Sequence, residues 1–254
     1  PKARVVMWQD ITPLYPDAIL IGLTATPCRS DGRGLGSDFQ VMVESATIPK
    51  LIPQRHLVGT VVYAPHTPDL KGVHIRAGDY KENELAERVD KPQLVGDIVT
   101  HWMKHGRGRK TVVFCVNVQH SMHVCEEFRR AGVVAEHIDG STSTEEGGSI
   151  LAAFRDGGVD VLCNCNVFVE GYDCPDISCL ILARPTKSML LYRQMVGRGL
   201  RPAEGKDHCL VLDHAGVTLL HGFAEDEIEW SLSPNRRAQN KKQAARTVGQ
   251  MPAL

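Results

Sequence analysis

No run of apolar residues in this 254-residue chain approaches the roughly 20 that a membrane-spanning helix needs, and no signal peptide is visible. A helical membrane protein is excluded, and a cytoplasmic protein with no membrane partner is expected. Neither sign of charge is in excess, with 29 basic against 30 acidic residues and a net charge of −1. That balance excludes a histone-like electrostatic binder but permits a local basic groove. The eight cysteines, at 28, 115, 125, 163, 165, 174, 179 and 209, include no CxxC pair, and several lie in apolar runs such as TVVFCV and HCLVLD. They read as buried thiols in a reducing compartment, not as a disulfide framework or zinc ribbon. There is no internal repeat and no heptad pattern. The opening Pro1-Lys2-Ala3-Arg4 has no initiator methionine and leads directly into a structured-looking segment, so the chain is expected to be a piece of a longer protein.

What is present is enough apolar sequence, 43%, to bury a full core. From Thr111 onward, short apolar runs alternate with amphipathic stretches. Strands are expected at Val112–Val116, Val133–Ile138, Val159–Cys163, Ser178–Ala183 and Cys209–Asp213. Helices are expected at Gln119–Arg130, Thr144–Phe154 and Ser188–Val196. This rhythm predicts βαβ units, hence an α/β fold with a parallel sheet covered on both faces. Ala18–Leu23 reads as a further buried strand ending in Thr24-Ala25-Thr26-Pro27, and Ile48–His56 as a short helix. Prolines and glycines between Leu57 and Asp79 have the composition of a connector. Pro234–Leu254 holds five basic residues and no acidic one, the composition of a solvated or nucleic-acid-binding tail.

The chemistry concentrates near the end. Gln194-Met195-Val196-Gly197-Arg198-Gly199-Leu200-Arg201 spaces a glutamine and two arginines four and three residues apart, which on a helix share one face. With Gly197 removing bulk between them, two guanidiniums suit a triphosphate, although arginines near a helix C-terminus also simply complement the macrodipole. Loops that follow parallel strands are the other places to search. Glu170-Gly171-Tyr172-Asp173 offers a close turn and an acceptor for a sugar hydroxyl, or only common turn chemistry. The threonines after Ala18–Leu23 can exchange hydrogen bonds with a ligand or merely cap a strand. Ser188 is placed to cap the helix that carries the arginines.

ILIGLTATP, TVVFCVNVQHS, VLCNCNVFVEGYDCP, ARPTKS and YRQMVGRGLRP, in this order and at these separations, resemble motifs III to VI of superfamily 2 helicases. The chain is most similar to bacterial and phage-type DEAD/DEAH-like helicases, including type III restriction-like subunits, over about Asp17 to Trp230. The resemblance implies RecA-like lobes of the P-loop NTPase type, with ATP and Mg2+ held between two of them. Neither GxxxxGK[ST] nor an Asp-Glu pair ahead of Thr24 is present, and these would anchor phosphates and magnesium in the first lobe. The expected organisation is the end of lobe one at 1–56, a connector at 57–90, a complete lobe two at 91–232 and a basic tail at 233–254.

Residue by residue, the resemblance implies that Arg198 and Arg201 are arginine fingers for the γ-phosphate, with Gln194 and Gly197 beside the nucleotide. It puts Gly171 and Asp173 near the ribose and phosphates, and Thr24, Ala25 and Thr26 where hydrolysis couples to lobe movement. Asn117, Gly140, Thr142, Asn164, Cys165 and Asn166 are implied contacts to a nucleic-acid backbone, DNA ahead of RNA, gripped without sequence readout. Two positions depart from the pattern: Cys165 stands where many relatives have threonine, and Gly147 about where many have arginine. The missing first lobe is the implied partner, and this fragment alone is expected not to hydrolyse ATP. An alternative is a degenerate lobe that serves as a nucleic-acid or protein docking module. A metal site on His101 and His105, or on His120, His123 and Cys125, lacks a third ligand at compelling spacing, so no metal is expected.

Overall fold

The structure is a computed structural model that describes residues 11–24, 26–27, 35–65, 67–165, 173–233 and 239–240. After a short helix, α1 (Ile48–Leu51), come strand β1 (Gly59–Tyr63), the two-residue strands β2 (Ile75–Arg76) and β3 (Asp79–Tyr80), and helices α2 (Glu82–Val89) and α3 (Pro92–His105). The alternating part then runs β4 (Thr111–Phe114), α4 (Val118–Arg130), β5 (Ala135–Ile138), α5 (Thr144–Arg155), β6 (Val161–Asn164), β7 (Cys179–Leu182), α6 (Met189–Gly197), β8 (His208–Asp213) and α7 (Val217–His221). A small antiparallel pair, β9 (Ile228–Glu229) with β10 (Gln239–Asn240), follows.

Six strands form one sheet in the order β1-β8-β7-β4-β6-β5, and every neighbouring pair is parallel. Side chains alternate across it as strand geometry requires. Val112, Phe114, Leu162, Leu180, Leu182 and Val211 pack with Phe154 of α5, Tyr192 and Met195 of α6 and Val217 of α7. Val113, Val161, Cys163, Ile181 and Leu212 pack on the other face with Trp102 of α3 and Val124 and Phe128 of α4. Both faces are therefore covered, which is why the strands read as unbroken apolar runs. Each expected strand and helix after Thr111 lies within about two residues of its observed limits, the ordinary uncertainty of an element end.

The region before Thr111 differs from expectation. Residues 57–90, read as a connector, supply β1, which pairs with β8 from Gly59↔His208 to Tyr63↔Leu212 and becomes a sheet edge. The same region contributes a hairpin whose Asp79 carboxylate accepts hydrogen bonds from Thr186 Oγ1 at 2.6 Å and Lys187 N at 2.7 Å. Ala18–Leu23 does not form the expected buried strand. It has no ladder partner among the described residues, and Ile19 and Leu23 are 89% and 94% exposed. The expected helix at Ile48–His56 stops at Leu51.

Candidate functional site

Ser188 caps α6, accepting from Leu191 N at 3.2 Å, and the helix runs back across the sheet from the end of β7 toward the start of β8. Its last turn thus lies near the amino ends of the strands, where Val58 N, just before β1, donates to Leu200 O at 2.8 Å. Arg201 Nη1 donates to Asp173 Oδ1 at 2.5 Å, with the two side chains 34% and 73% exposed. Lys206 Nζ reaches Arg201 O and Pro175 O, both at 2.7 Å, so it ties the segment after Arg201 to the one after Asp173. Burial lowers the Lys206 pKa. Gln194, Gly197 and Arg198 are half-buried. Beside this helix opens a cleft of about 960 Å³ whose lining includes Arg193, Gly197 and Leu200 together with Leu23, Thr24 and Thr26. Thr26 N donates to Thr24 Oγ1 at 3.1 Å.

A second cluster sits at the carboxyl edge of the sheet. Phe114, Asn164 and Ile138 stand abreast in register, so the loops that follow β4, β6 and β5 are neighbours. Asn117 is the N-cap of α4, its Oδ1 accepting from His120 N at 2.8 Å. Gly140 is exposed, and Thr142 Oγ1 accepts from Asp139 N at 3.0 Å. Asn164 and Cys165 are only 1% and 5% exposed. Asn164 Nδ2 donates to Val113 O at 2.8 Å, and Cys165 Sγ to Val116 O at 3.7 Å. Both side chains hold strand ends together, which leaves the backbone of this loop as the part that could meet a bound strand. Burial also raises the Cys165 thiol pKa. Ala25, Asn166 and Gly171 lie outside the described residues.

Residues 90–203 match the helicase conserved C-terminal domain. This stretch of the chain belongs to that helicase domain family. It is 31% identical, over 89% of its length and 50% of the relative's, to a 51.5 kDa protein of a Lactococcus phage. It is 37% identical, over 83% of its length and 36% of the relative's, to a protein of Schizosaccharomyces pombe named as a mitochondrial ATP-dependent helicase, irc3. A fragment assigned as the HsdR subunit of a type I restriction enzyme from Vibrio vulnificus superposes with a TM-score of 0.69 at 22% identity, over 86% of this chain and 44% of that one. At that identity the likeness speaks for the RecA-like fold. The chain spans between about a third and a half of these relatives' lengths.

The helicase lobe brings Arg201 and Asp173 together across 28 residues, and Thr24 and Thr26 to the same cleft as Gly197. Sequence reasoning missed Arg193. Its guanidinium donates to Ala224 O and, at 2.8 Å, to Asp226 O, and burial lowers its pKa. No spacing signal marks it, because its acceptors are backbone carbonyls more than thirty residues away. Among the described residues no three His, Cys, Asp or Glu side chains could share a metal ion. His101 and His105 pack against Tyr63, with ring centroids 5.3 and 4.6 Å away, and His123 pairs with Asp90 at 2.9 Å. The seven described cysteines are all buried free thiols. No helix among the described residues is long and apolar enough to cross a membrane.

Proposed function

We propose that this helicase lobe is the second half of an ATP-driven nucleic-acid helicase or translocase, with two working surfaces on different sides of one sheet. At the end of α6, Arg198 and Arg201 meet the γ-phosphate of Mg-ATP held by a first lobe, and Gln194 and Gly197 lie against the nucleotide. Asp173 takes the ribose side. At the carboxyl edge, Asn117 and the Gly140–Thr142 loop grip backbone phosphates, DNA ahead of RNA, without reading bases. Thr24 and Thr26, lining the cleft beside α6, couple hydrolysis to movement of the lobes.

The observation that carries this reading is the exposed Arg201–Asp173 pair in the segment that follows α6, inside the matched helicase domain. An exposed ion pair is worth little, about 0–1 kcal/mol. Arg201 can therefore exchange a carboxylate for a phosphate oxygen at small cost, and phosphate is the better bidentate acceptor. The phosphates of ATP fit the arginine end of this arrangement, whereas the magnesium ion would be held by carboxylates of the first lobe. The phosphate loop and its acidic partner belong to the first lobe, so the isolated chain should not turn over ATP.

The test is Arg201→Ala in the full-length protein. Turnover should fall by roughly a thousandfold or more, the usual worth of such a finger, while ATP binding is largely kept. Unchanged turnover would remove Arg201 from the catalytic machinery.

A further inference from the structure

The two loops assigned to the nucleic-acid face follow β4 and β5, which are not adjacent, since β6 runs between them. Neighbouring strands lie about 4.8 Å apart, so roughly 10 Å separates the two loops and no ladder hydrogen bond joins them directly. A chain of side-chain hydrogen bonds spans that gap. Ser121 Oγ, on α4, lies 2.8 Å from His137 Nδ1, and His137 Nε2 lies 3.0 Å from Asp139 Oδ2. Asp139 Oδ1 accepts from both the N–H and the hydroxyl of Ser141, each at 2.6 Å. Thr142 closes the turn through the Asp139 N–H at 3.0 Å. At the other end, Ser121 N donates to Asn117 O at 3.1 Å, which ties the chain to the α4 N-cap.

The direction of each bond follows from its chemistry. Hydrogen bonds from Ser141 and His137 hold the Asp139 carboxyl down to about 2, so it is ionised and accepts only. His137 therefore donates its Nε2 proton to Asp139, and in the neutral ring Nδ1 accepts the Ser121 hydroxyl hydrogen. Ser, His and Asp are linked in the same order in serine hydrolases, but Ser121 is 0% exposed and cannot meet a substrate. Every donor in the chain faces an acceptor, and Asp139 is itself 7% exposed. Such a satisfied buried network rigidifies what it joins.

We infer that Ser121, His137 and Asp139 form a positioning relay that locks the Gly140–Thr142 loop to the amino end of α4, so that Asn117 and this loop engage the phosphates of one nucleic-acid strand as a single unit. The inference rests on the nucleic-acid reading above. Gly140 is exposed at the turn and a Cβ there would meet nothing within 4 Å, so its backbone is open to a ligand. Without the relay, the loop would have to be ordered each time it bound.

The experiment is fluorescence anisotropy of a labelled single-stranded DNA 20-mer with the full-length protein across a salt series. His137→Ala should weaken binding about three- to tenfold, the cost of ordering a loop on association. The slope of log Kd against log salt should become shallower by about one, as a phosphate contact is lost. Simple loss of folded protein lowers amplitude and leaves that slope alone. Ser121→Ala, which cuts the relay on the α4 side and leaves the loop's own residues unchanged, gives the same test. In a double-mutant cycle, Asn117→Ala and His137→Ala should be non-additive, because the relay makes the two loops one unit. Unaltered affinity and slope in both single variants, or strict additivity in the cycle, overturns the relay. Failure of the wild-type protein to bind the strand overturns the nucleic-acid reading itself, and the relay with it.

Discussion

A methyl group added at Gly199 would lie 2.3 Å from Cys209 Sγ and 2.8 Å from Leu180 Cδ1, both fully buried in the sheet. Two residues earlier, at Gly197, it would meet nothing within 4 Å. The glycine that the motif spacing singled out is thus the one facing the cleft, and its neighbour is the one that packing requires. Gly199→Ala should cost about 1–3 kcal/mol through overpacking, whereas Gly197→Ala should leave stability unchanged or raise it by about 0.5–1 kcal/mol. Urea denaturation of the two variants checks both. Acid sensitivity also belongs to single residues. Burial lowers His120 to about 4, and it lowers His105 and His221 as well. An unfolded histidine titrates near 6.5, so between about pH 6.5 and 4 the unfolded chain binds more protons. Stability is full above that window and falls as pH drops through it. His120→Asn, which keeps an acceptor for Val116 N–H, should lose less stability between pH 7 and 5 than the wild type does in urea midpoints.

Among the elements, β1 shows how an exposed sheet edge is closed. Glu225 accepts from Thr60 N and, at 3.0 Å, from Thr60 Oγ1, so a carboxylate takes the place of the next strand. Glu225→Ala should strand that amide at a cost of about 1–3 kcal/mol. Hydrogen exchange should then quicken in β1 and not in β4, whose ladder is doubled by β6 and β7. The same strand escaped sequence reading for a local reason. Gly59–Tyr63 is only five residues long, between Pro53 and Pro65, and a window averaged over Leu57–Asp79 sees mainly breakers. Its β-branched Thr60, Val61 and Val62 were the available signal. The later strands had no such dilution, because burial on both faces made each an uninterrupted apolar run.

For the molecule as a whole, the apolar face left open by Ala18–Leu23 stands out. Ile19, Ile21 and Leu23 are 89%, 76% and 94% exposed, and Val41 and Val43 are 75% and 84% exposed. Such a patch wants a cover. The isolated chain should bind an apolar dye such as anilinonaphthalene sulfonate, and removal of residues 1–47 should abolish most of that signal. Dye binding that survives the deletion would place the exposed surface elsewhere.

Sequence alone determined the α/β class, the alternation after Thr111, the Ser188 cap and the helix Met189–Gly197, because period, capping and motif spacing are local properties of the chain. The helix stops short of the arginines, with Arg198 as its C-cap and Arg201 beyond it, so the single helix face expected for Gln194, Arg198 and Arg201 does not form. It could not decide which residues meet across the fold. The contact of Arg201 with Asp173, the burial of Asn164 and Cys165, the clamp of Glu225 on Thr60 and the Ser121–His137–Asp139 chain all depend on strand order. Parallel strands are joined by long crossovers, so spatial neighbours such as β1 and β8 are distant in sequence, and only the assembled sheet reveals them.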